Sequence, residues 1–201
     1  MAKRESTFIN MVVTLLVVTL IAAVTLGYVY DLTKEPIEIA KMKAQQEAIK
    51  KVLPEFDKLG DAFKVPTETD GDSLDFFKAY KNDKLIGTAI KTHTKKGFSG
   101  LITIMVGFDV EGKISGYEIL EHAETPGLGS KMALWFKDTA KPKQNVIGKS
   151  PKTTKFEVTK DGGDIDAITA STISSRAFLD AMVRAYNSYD KNLKTNSGNK
   201  N

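Results

Sequence analysis

The 201-residue sequence contains no cysteine and only two histidines. Without thiolates it cannot hold an iron–sulfur cluster through cysteine, form a disulfide, attach a c-type haem or use a thiol nucleophile. Two isolated histidines, His93 and His122, give little indication of a zinc site, although either could meet carboxylates in the fold. Any electron transfer by this chain would therefore need an organic cofactor.

Charge of one sign is not concentrated anywhere. The sequence has 29 lysines and arginines and 25 aspartates and glutamates, which gives a net charge of +4. The basic residues form only short clusters such as 95–96 and 141–143. A basic stripe interleaved with aromatic residues, which is typical of nucleic-acid-binding proteins, does not occur. We interpret the lysines as a solvated surface and expect no nucleic-acid partner.

A long apolar run covers residues 8–30 without a charged side chain. As a helix it would reach about 34 Å, enough to cross a bilayer core of about 30 Å, so it predicts one transmembrane helix. Its polar residues can bond back to the helix or anchor its far end at the interface: Asn10, Thr14, Thr19, Thr25, Tyr28 and Tyr30. A cleaved signal peptide is the alternative, but the apolar region of a signal peptide has only ~7–15 residues. No clear small-x-small cleavage site follows the run in this sequence.

The remaining residues predict an α+β domain, a mostly antiparallel sheet covered by helices. A helix is expected from Ile37, with Pro36 in its first turn, and another over 174–189, whereas 191–201 is expected to be disordered. Strands over 76–80, 85–92, 101–108 and 114–120 would be joined in pairs by turns at 82–83 and 111–112. The third strand is apolar on both faces, which indicates a central, covered strand. Residues 132–136 are predicted to be helical, with 135–136 in the core.

Residues 169–175 place five hydroxyl side chains within seven residues at a helix start. An anion at a helix N-terminus meets unpaired N–H groups and the positive end of the macrodipole, so the pattern suits a phosphate group. An ordinary N-cap is the alternative. The candidate residues are Thr169, Ser171, Thr172, Ser174 and Ser175.

A second candidate segment, 121–130, follows the last predicted strand. Pro126 and two glycines give it a tight backbone that a planar ring can approach closely, although a simple Pro-Gly turn is the alternative. The candidate residues here are Glu124, Thr125, Gly127, Leu128 and Gly129.

Together the two motifs resemble the FMN-binding domain family. The segment Thr-Ala-Ser-Thr-Ile-Ser-Ser at 169–175 is similar to that family's Ser/Thr-Gly-Ala-Thr-x-Ser/Thr-Ser signature, and 124–129 resembles its second motif. The resemblance implies FMN attached covalently by a phosphoester to Thr172. Two positions depart from the signature: Ala170 replaces a typical glycine and Ser171 a typical alanine. Ala170 is tolerable only if its position does not require a positive φ.

Members of this family include the G subunit of the Rnf-type electron transport complex and the C subunit of the sodium-translocating NADH:quinone reductase. The resemblance therefore implies an electron-transfer subunit of an ion-translocating oxidoreductase that is not an autonomous enzyme. Expected partners are the other membrane subunits and a flavin transferase that uses FAD and magnesium. We prefer the Rnf-type complex; a quinone-reductase subunit, an anchored sensory or binding domain and an autonomous flavin reductase are the alternatives.

The expected organisation follows from both lines of reasoning. Residues 1–7 form a short cytoplasmic N-terminus, 8–30 the membrane helix, 31–70 a juxtamembrane helix and connecting loop, 71–190 the FMN-binding domain and 191–201 the tail. Basic residues on both sides of the membrane helix leave its orientation open by charge alone. The resemblance implies a single-pass protein of the inner membrane with its flavin domain on the periplasmic side.

Overall fold

The computed structural model describes residues 7–67 and 71–198. Residues 7–44 and 45–198 are two units, and each is described by itself. Predictions about 1–6 and 199–201 lie outside the described residues.

From Phe8 onward the first unit is helical and belongs to α1 (Phe8–Val52), which is long and apolar enough to cross a membrane. Its threonine hydroxyls donate to backbone carbonyls one turn earlier, as expected for a membrane helix. Thr14 bonds to Asn10 O at 2.7 Å, and Thr25 bonds to Ile21 O at 2.8 Å.

The prediction of a separate helix from Ile37, with Pro36 in its first turn, is wrong, since α1 continues through Pro36 without interruption. Proline removes one helical hydrogen bond and crowds the preceding turn, at a cost of about 3 kcal/mol. The helix-forming lysines, glutamates and alanines on either side favour helix strongly enough to offset that cost.

The second unit is built on one antiparallel sheet. The strands are β1 (Lys58–Leu59), β2 (Phe63–Pro66), β3 (Ser73–Lys81), β4 (Lys84–Gly97), β5 (Gly100–Asp109) and β6 (Ile114–His122). Their order in the sheet is β1-β3-β4-β5-β6, and β2 also pairs with β3. The predicted α+β class is confirmed. The two short strands β1 and β2 were not predicted, and they extend the sheet to residues before 71.

Both predicted hairpin turns are present. Asn82 and Asp83 have φ of 49° and 60°, and a two-residue hairpin turn of type I′ requires such positive values at both central residues. In the second turn, Gly112 has φ of 78°. The turn between β4 and β5 was not predicted, because β4 continues to Gly97, five residues beyond the expected strand end.

The sheet is covered on both faces, as the apolar pattern of β5 indicated. Ile104 faces a core completed by α3 (Thr172–Gly198), whereas the adjacent Met105 faces a smaller core completed by the end of α1. Phe178 of α3 stacks on Phe136 with ring centroids 4.3 Å apart. Phe136 lies in the core and Trp135 packs against it, which confirms the prediction for 135–136.

A long connection runs from β6 to α3 and lies over the first core. It contains 3-10 turns at Gly129–Lys131 and Thr159–Asp161 and the short helix α2 (Met132–Trp135). The phenol of Tyr117 donates to Met132 O at 2.7 Å, and burial raises the pKa of this phenol, so it stays protonated as a donor. The Trp135 indole donates to Asp166 O at 3.0 Å. These bonds fix the connection that leads into α3.

The C-terminal segment differs from its prediction. Residues 191–198 continue α3 instead of being disordered. Low apolar content led to the prediction of disorder, but a helix that already begins in a packed core can extend into polar sequence without a new nucleus.

We predict that Gly107→Ala lowers the free energy of unfolding. Gly107 of β5 and Gly116 of β6 pair across the sheet beneath Val52, and a Cβ at Gly107 would overlap the Val52 carbonyl oxygen. Overpacking of this kind costs about 1–3 kcal/mol. Thermal unfolding of the full chain in detergent measures the change. Gly60→Ala is the control, since its Cβ would come no closer than 3.3 Å, to the Tyr80 ring. Equal stability of the two variants would contradict this packing.

Candidate functional site

The first turn of α3 carries the hydroxyl motif. The Ser175 N–H donates to Ser171 O at 3.0 Å, so Ser171 is the N-cap and the helical hydrogen bonds begin there. The N–H groups of Thr172, Ile173 and Ser174 precede that bond and have no intrahelical acceptor. The helix therefore begins two residues earlier than predicted, and Thr172 is its first residue.

The Ser175 hydroxyl has a structural role. It donates to Ser171 O at 2.9 Å and accepts the Ile168 N–H at 2.9 Å, and its side chain is fully buried. Both bonds tie the helix start to the chain that enters it. Ser175 is therefore engaged internally and lies outside the cavity described below.

Ala170 has a positive φ of 61°. The sequence expectation was that alanine is tolerable here only without a left-handed backbone, and the structure places it in that conformation. A Cβ in the left-handed region costs roughly 1–2 kcal/mol. The entry to α3 is thus strained at the position where the family signature has glycine.

The second motif forms a compact loop. The Thr125 carbonyl accepts the N–H groups of Leu128 at 3.2 Å and Ser130 at 3.3 Å. Gly127 has φ of 74°, and its N–H donates to the Ser130 hydroxyl at 2.9 Å. These bonds turn the chain back on itself and bring Gly129 beside the start of α3.

Glu124 joins the two motifs. Its side chain is only 4% exposed; one carboxylate oxygen accepts the Ser99 N–H at 2.9 Å and the other accepts the Ser174 hydroxyl. Gly129 permits the contact, because a Cβ there would lie 2.6 Å from Ser174 Oγ and 2.7 Å from Glu124 Oε2. One buried carboxylate thus holds the β4–β5 turn and α3 against the 121–130 loop.

A cavity of about 340 Å³ opens where these three elements meet. Seven of the ten predicted residues line it, whereas Thr169, Gly127 and Ser175 do not. The lining residues are Phe98, Glu124, Thr125, Leu128, Gly129, Ala170, Ser171, Thr172, Ile173 and Ser174. The sequence prediction missed Phe98, Ala170 and Ile173. The pair Gly97 and Gly100 around Phe98 was the available turn signal.

The cavity combines one charged side chain with apolar and hydroxyl surface. Among the described residues that line it, only Glu124 is charged, and both of its oxygens accept hydrogen bonds. Thr172 is partly exposed beside the unpaired N–H groups of the first helical turn. The arrangement offers an anion the positive end of a helix and offers an apolar ring the side chains of Leu128 and Ile173.

The two histidines lie in different settings. His122 Nδ1 accepts the Glu124 N–H at 3.1 Å, and His93 contacts Asp72 at 3.0 Å. Among residues 7–67 and 71–198, no group of three or more histidines and carboxylates is placed to hold a metal ion.

A larger cavity of about 430 Å³ lies elsewhere, between β4 and α3. Charged side chains line it, and ion pairs account for several of them, including Lys96 with Asp180 at 2.6 Å. It contains none of the motif residues. We therefore take the smaller cavity as the candidate site.

The candidate site lies within a segment that matches a known family. Residues 97–187 match the FMN-binding domain family, a range that contains every residue lining the cavity. The chain is similar to the G subunit of the ion-translocating oxidoreductase complex of Erwinia tasmaniensis, with 38% identity over 54% of this chain and 51% of the relative. The corresponding protein of Salmonella typhi is 38% identical over 54% of this chain and 53% of the relative. The chain thus spans about half the length of these relatives.

A more extended match comes from Methanosarcina acetivorans. The G subunit of its ion-translocating oxidoreductase complex is 27% identical over 86% of this chain and 89% of the relative.

We predict that Ala170→Gly stabilises the chain by about 0.5–1 kcal/mol. Glycine relieves the left-handed strain, and its greater freedom in the unfolded state offsets part of the gain. The melting temperature of the full chain in detergent measures the effect, with Ala167→Gly as the control because Ala167 is outside the set of positive-φ residues. A lower melting temperature for Ala170→Gly would contradict the conformation described here.

We predict that Glu124→Ala lowers the free energy of unfolding by about 2–4 kcal/mol, because the Ser99 N–H and the Ser174 hydroxyl lose their buried acceptor. Glu124→Gln keeps a carbonyl oxygen and is expected to recover most of that loss. Denaturant unfolding of both variants measures the difference. Similar midpoints for Glu124→Ala and the unmodified chain would show that the carboxylate does not hold the site together.

Proposed function

Residues 97–187 match the FMN-binding domain family, and from this match we propose that the chain is a membrane-anchored flavoprotein subunit of an ion-translocating, Rnf-type electron transport complex. It relays electrons through FMN bonded by a phosphoester to Thr172. The observation that carries the proposal is the single cavity formed by two motifs that lie almost fifty residues apart, with Thr172 in its wall.

The cavity fits the group in size and chemistry. Its volume of about 340 Å³ lies within the range of roughly 300–1,000 Å³ that small-molecule sites occupy. The N–H groups of Thr172, Ile173 and Ser174 favour the phosphodiester charge at the helix N-terminus. Leu128 and Ile173 supply apolar surface for the ring. Bound FMN would supply the ability to accept and release electrons singly or in pairs.

The hydroxyl groups divide into two roles. The Ser174 proton is committed to Glu124 and the Ser175 proton to Ser171 O, so both hydroxyls hold the scaffold. Thr172 and Ser171 remain to face the phosphate. Ser171 is a candidate donor to a phosphate oxygen, and Thr172 is the attachment point.

Attachment is a group transfer in which Thr172 is the acceptor. The Thr172 oxygen forms the new P–O bond, the phosphoanhydride of FAD breaks, AMP leaves, and the hydroxyl proton passes to a base of the flavin transferase. Thr172 accordingly acts once, during maturation, and is not a catalyst in turnover. The tether then keeps the flavin beside its cavity at a high effective concentration.

The role as one relay subunit rests on what the chain contains. It has no cysteine for cluster ligation, and it has one helix that could span a membrane in its described residues. The matched relatives are named as subunits of an ion-translocating oxidoreductase complex. We therefore propose that other membrane subunits are its partners and that donor and acceptor lie in them.

We further propose that α1 anchors the chain as a single-pass protein of the inner membrane, with the flavin domain on the periplasmic side. The support is the apolar, exposed surface of residues 8–30 and the family resemblance. A flavin that dissociated outside the cytoplasm would diffuse away from the protein, and the covalent bond prevents that loss.

We predict that Thr172→Ala abolishes covalent FMN in protein co-expressed with a flavin transferase, because the acceptor oxygen is removed. A hydroxyl deleted at the first helical position changes stability by only about 0.5 kcal/mol, so the fold is retained. Intact mass and in-gel flavin fluorescence after denaturation measure the modification, and the melting temperature checks folding.

Thr169→Ala is the matched control, since Thr169 is exposed in the same motif but lies outside the cavity. It is expected to carry FMN at the unmodified level. Covalent FMN on the Thr172→Ala variant would show that another residue is the attachment site. A full-length chain that stays colourless with an active transferase would favour the anchored binding or sensory domain.

A further inference from the structure

The turn between β4 and β5 carries Phe98 into the wall of the cavity. Gly97 and Gly100 pair across the hairpin, and Gly100 has φ of 101°, a conformation that side-chain-bearing residues rarely adopt. The two glycines leave Phe98 and Ser99 as the tip of the hairpin. Phe98 lines the cavity together with Thr172 and Leu128.

The position of this tip is fixed by the same carboxylate that holds the helix start. The Ser99 N–H donates to Glu124 Oε1 at 2.9 Å, and a Cβ at Gly97 would lie 2.7 Å from that oxygen. Because Glu124 also accepts the Ser174 hydroxyl, the hairpin tip and the first turn of α3 share one buried anchor. The backbone of the hairpin tip at Phe98 and Ser99 is therefore held at a set place relative to the first turn of α3.

Phe98 is 68% exposed, more than the two other large apolar side chains of the cavity wall, Leu128 at 39% and Ile173 at 48%. An aromatic side chain in such a place has a large area that a planar ligand can cover. Offset stacking and edge-to-face contact are the favoured arrangements between two aromatic systems. The apolar side chains of Leu128 and Ile173 line the same cavity and extend this surface.

We propose that Phe98 packs against the flavin ring and shields it from water, which makes the β4–β5 turn the third cofactor-binding element of the site. This inference rests on the proposed function, since it requires flavin at Thr172. It adds a residue from a strand turn to the two motifs that carry the attachment point and the loop.

Quenching of flavin fluorescence by acrylamide tests the shielding directly in the full-length, flavinylated chain in detergent. A neutral quencher removes the influence of protein charge. In Phe98→Ala the Stern–Volmer constant is expected to rise toward the value for free FMN, because one side of the cavity is opened. The control is Val110→Ala, an exposed apolar residue on the β5–β6 turn outside the cavity. It is expected to match the unmodified chain.

A second variant tests contact by gain of a signal. In Phe98→Trp an indole would meet the flavin and transfer an electron to its excited state; the electron then returns, so both groups end unchanged. The flavin fluorescence lifetime is expected to shorten relative to the unmodified chain. Val110→Trp adds the same indole away from the cavity and is expected to leave the lifetime unchanged.

The outcomes separate the two proposals. Covalent flavin with unchanged quenching in Phe98→Ala and an unchanged lifetime in Phe98→Trp overturns the role of Phe98 and leaves the proposed function standing. A shortened lifetime in Phe98→Trp supports contact even if Phe98→Ala accepts no flavin. A full-length chain that carries no flavin with an active transferase overturns the proposed function itself.

Discussion

The structure of the site depends on the two oxygens of Glu124. A carboxylate that is 4% exposed is stable only when hydrogen bonds satisfy it, and here the partners belong to two other segments of the chain, the Ser99 N–H and the Ser174 hydroxyl. Satisfying one buried group thus forces a strand turn, a loop and a helix start to meet. The cavity is what remains between them. Glycines at 97 and 129 allow the approach, since a side chain at either would displace the carboxylate.

This arrangement gives different roles to hydroxyl residues that look equivalent in the sequence. Of the five hydroxyls at 169–175, two are committed to the scaffold, one is exposed away from the cavity, and Ser171 and Thr172 face the proposed phosphate. The strain at Ala170 belongs to the same turn, where a left-handed residue redirects the chain into α3. The unpaired N–H groups of the helix N-terminus and the Thr172 hydroxyl therefore lie side by side, which suits the proposed tethered phosphodiester.

Much of this could be predicted from sequence because the signals are local. The turns at 82–83 and 111–112, the apolar β5 and both site motifs are each specified by a few neighbouring residues, and one continuous apolar run specifies a helix long enough to cross a membrane. The missed features depend on distant partners. Phe98 becomes a wall residue only because Glu124, twenty-five positions after Ser99, binds the Ser99 amide. Pro36 was misread because local propensity around it outweighs the single break that proline favours. The internal bonds of Ser175 likewise appear only once the chain entering α3 is folded.

The central claim is that this cavity holds a flavin bonded to Thr172. Tandem mass spectrometry of the chain purified from its native host, after trypsin digestion, tests it most directly, because residues 161–176 form one peptide that contains every hydroxyl of the motif. The account predicts an FMN phosphoester on the Thr172 oxygen of that peptide. An unmodified peptide, or a flavin located on any other hydroxyl, would contradict it.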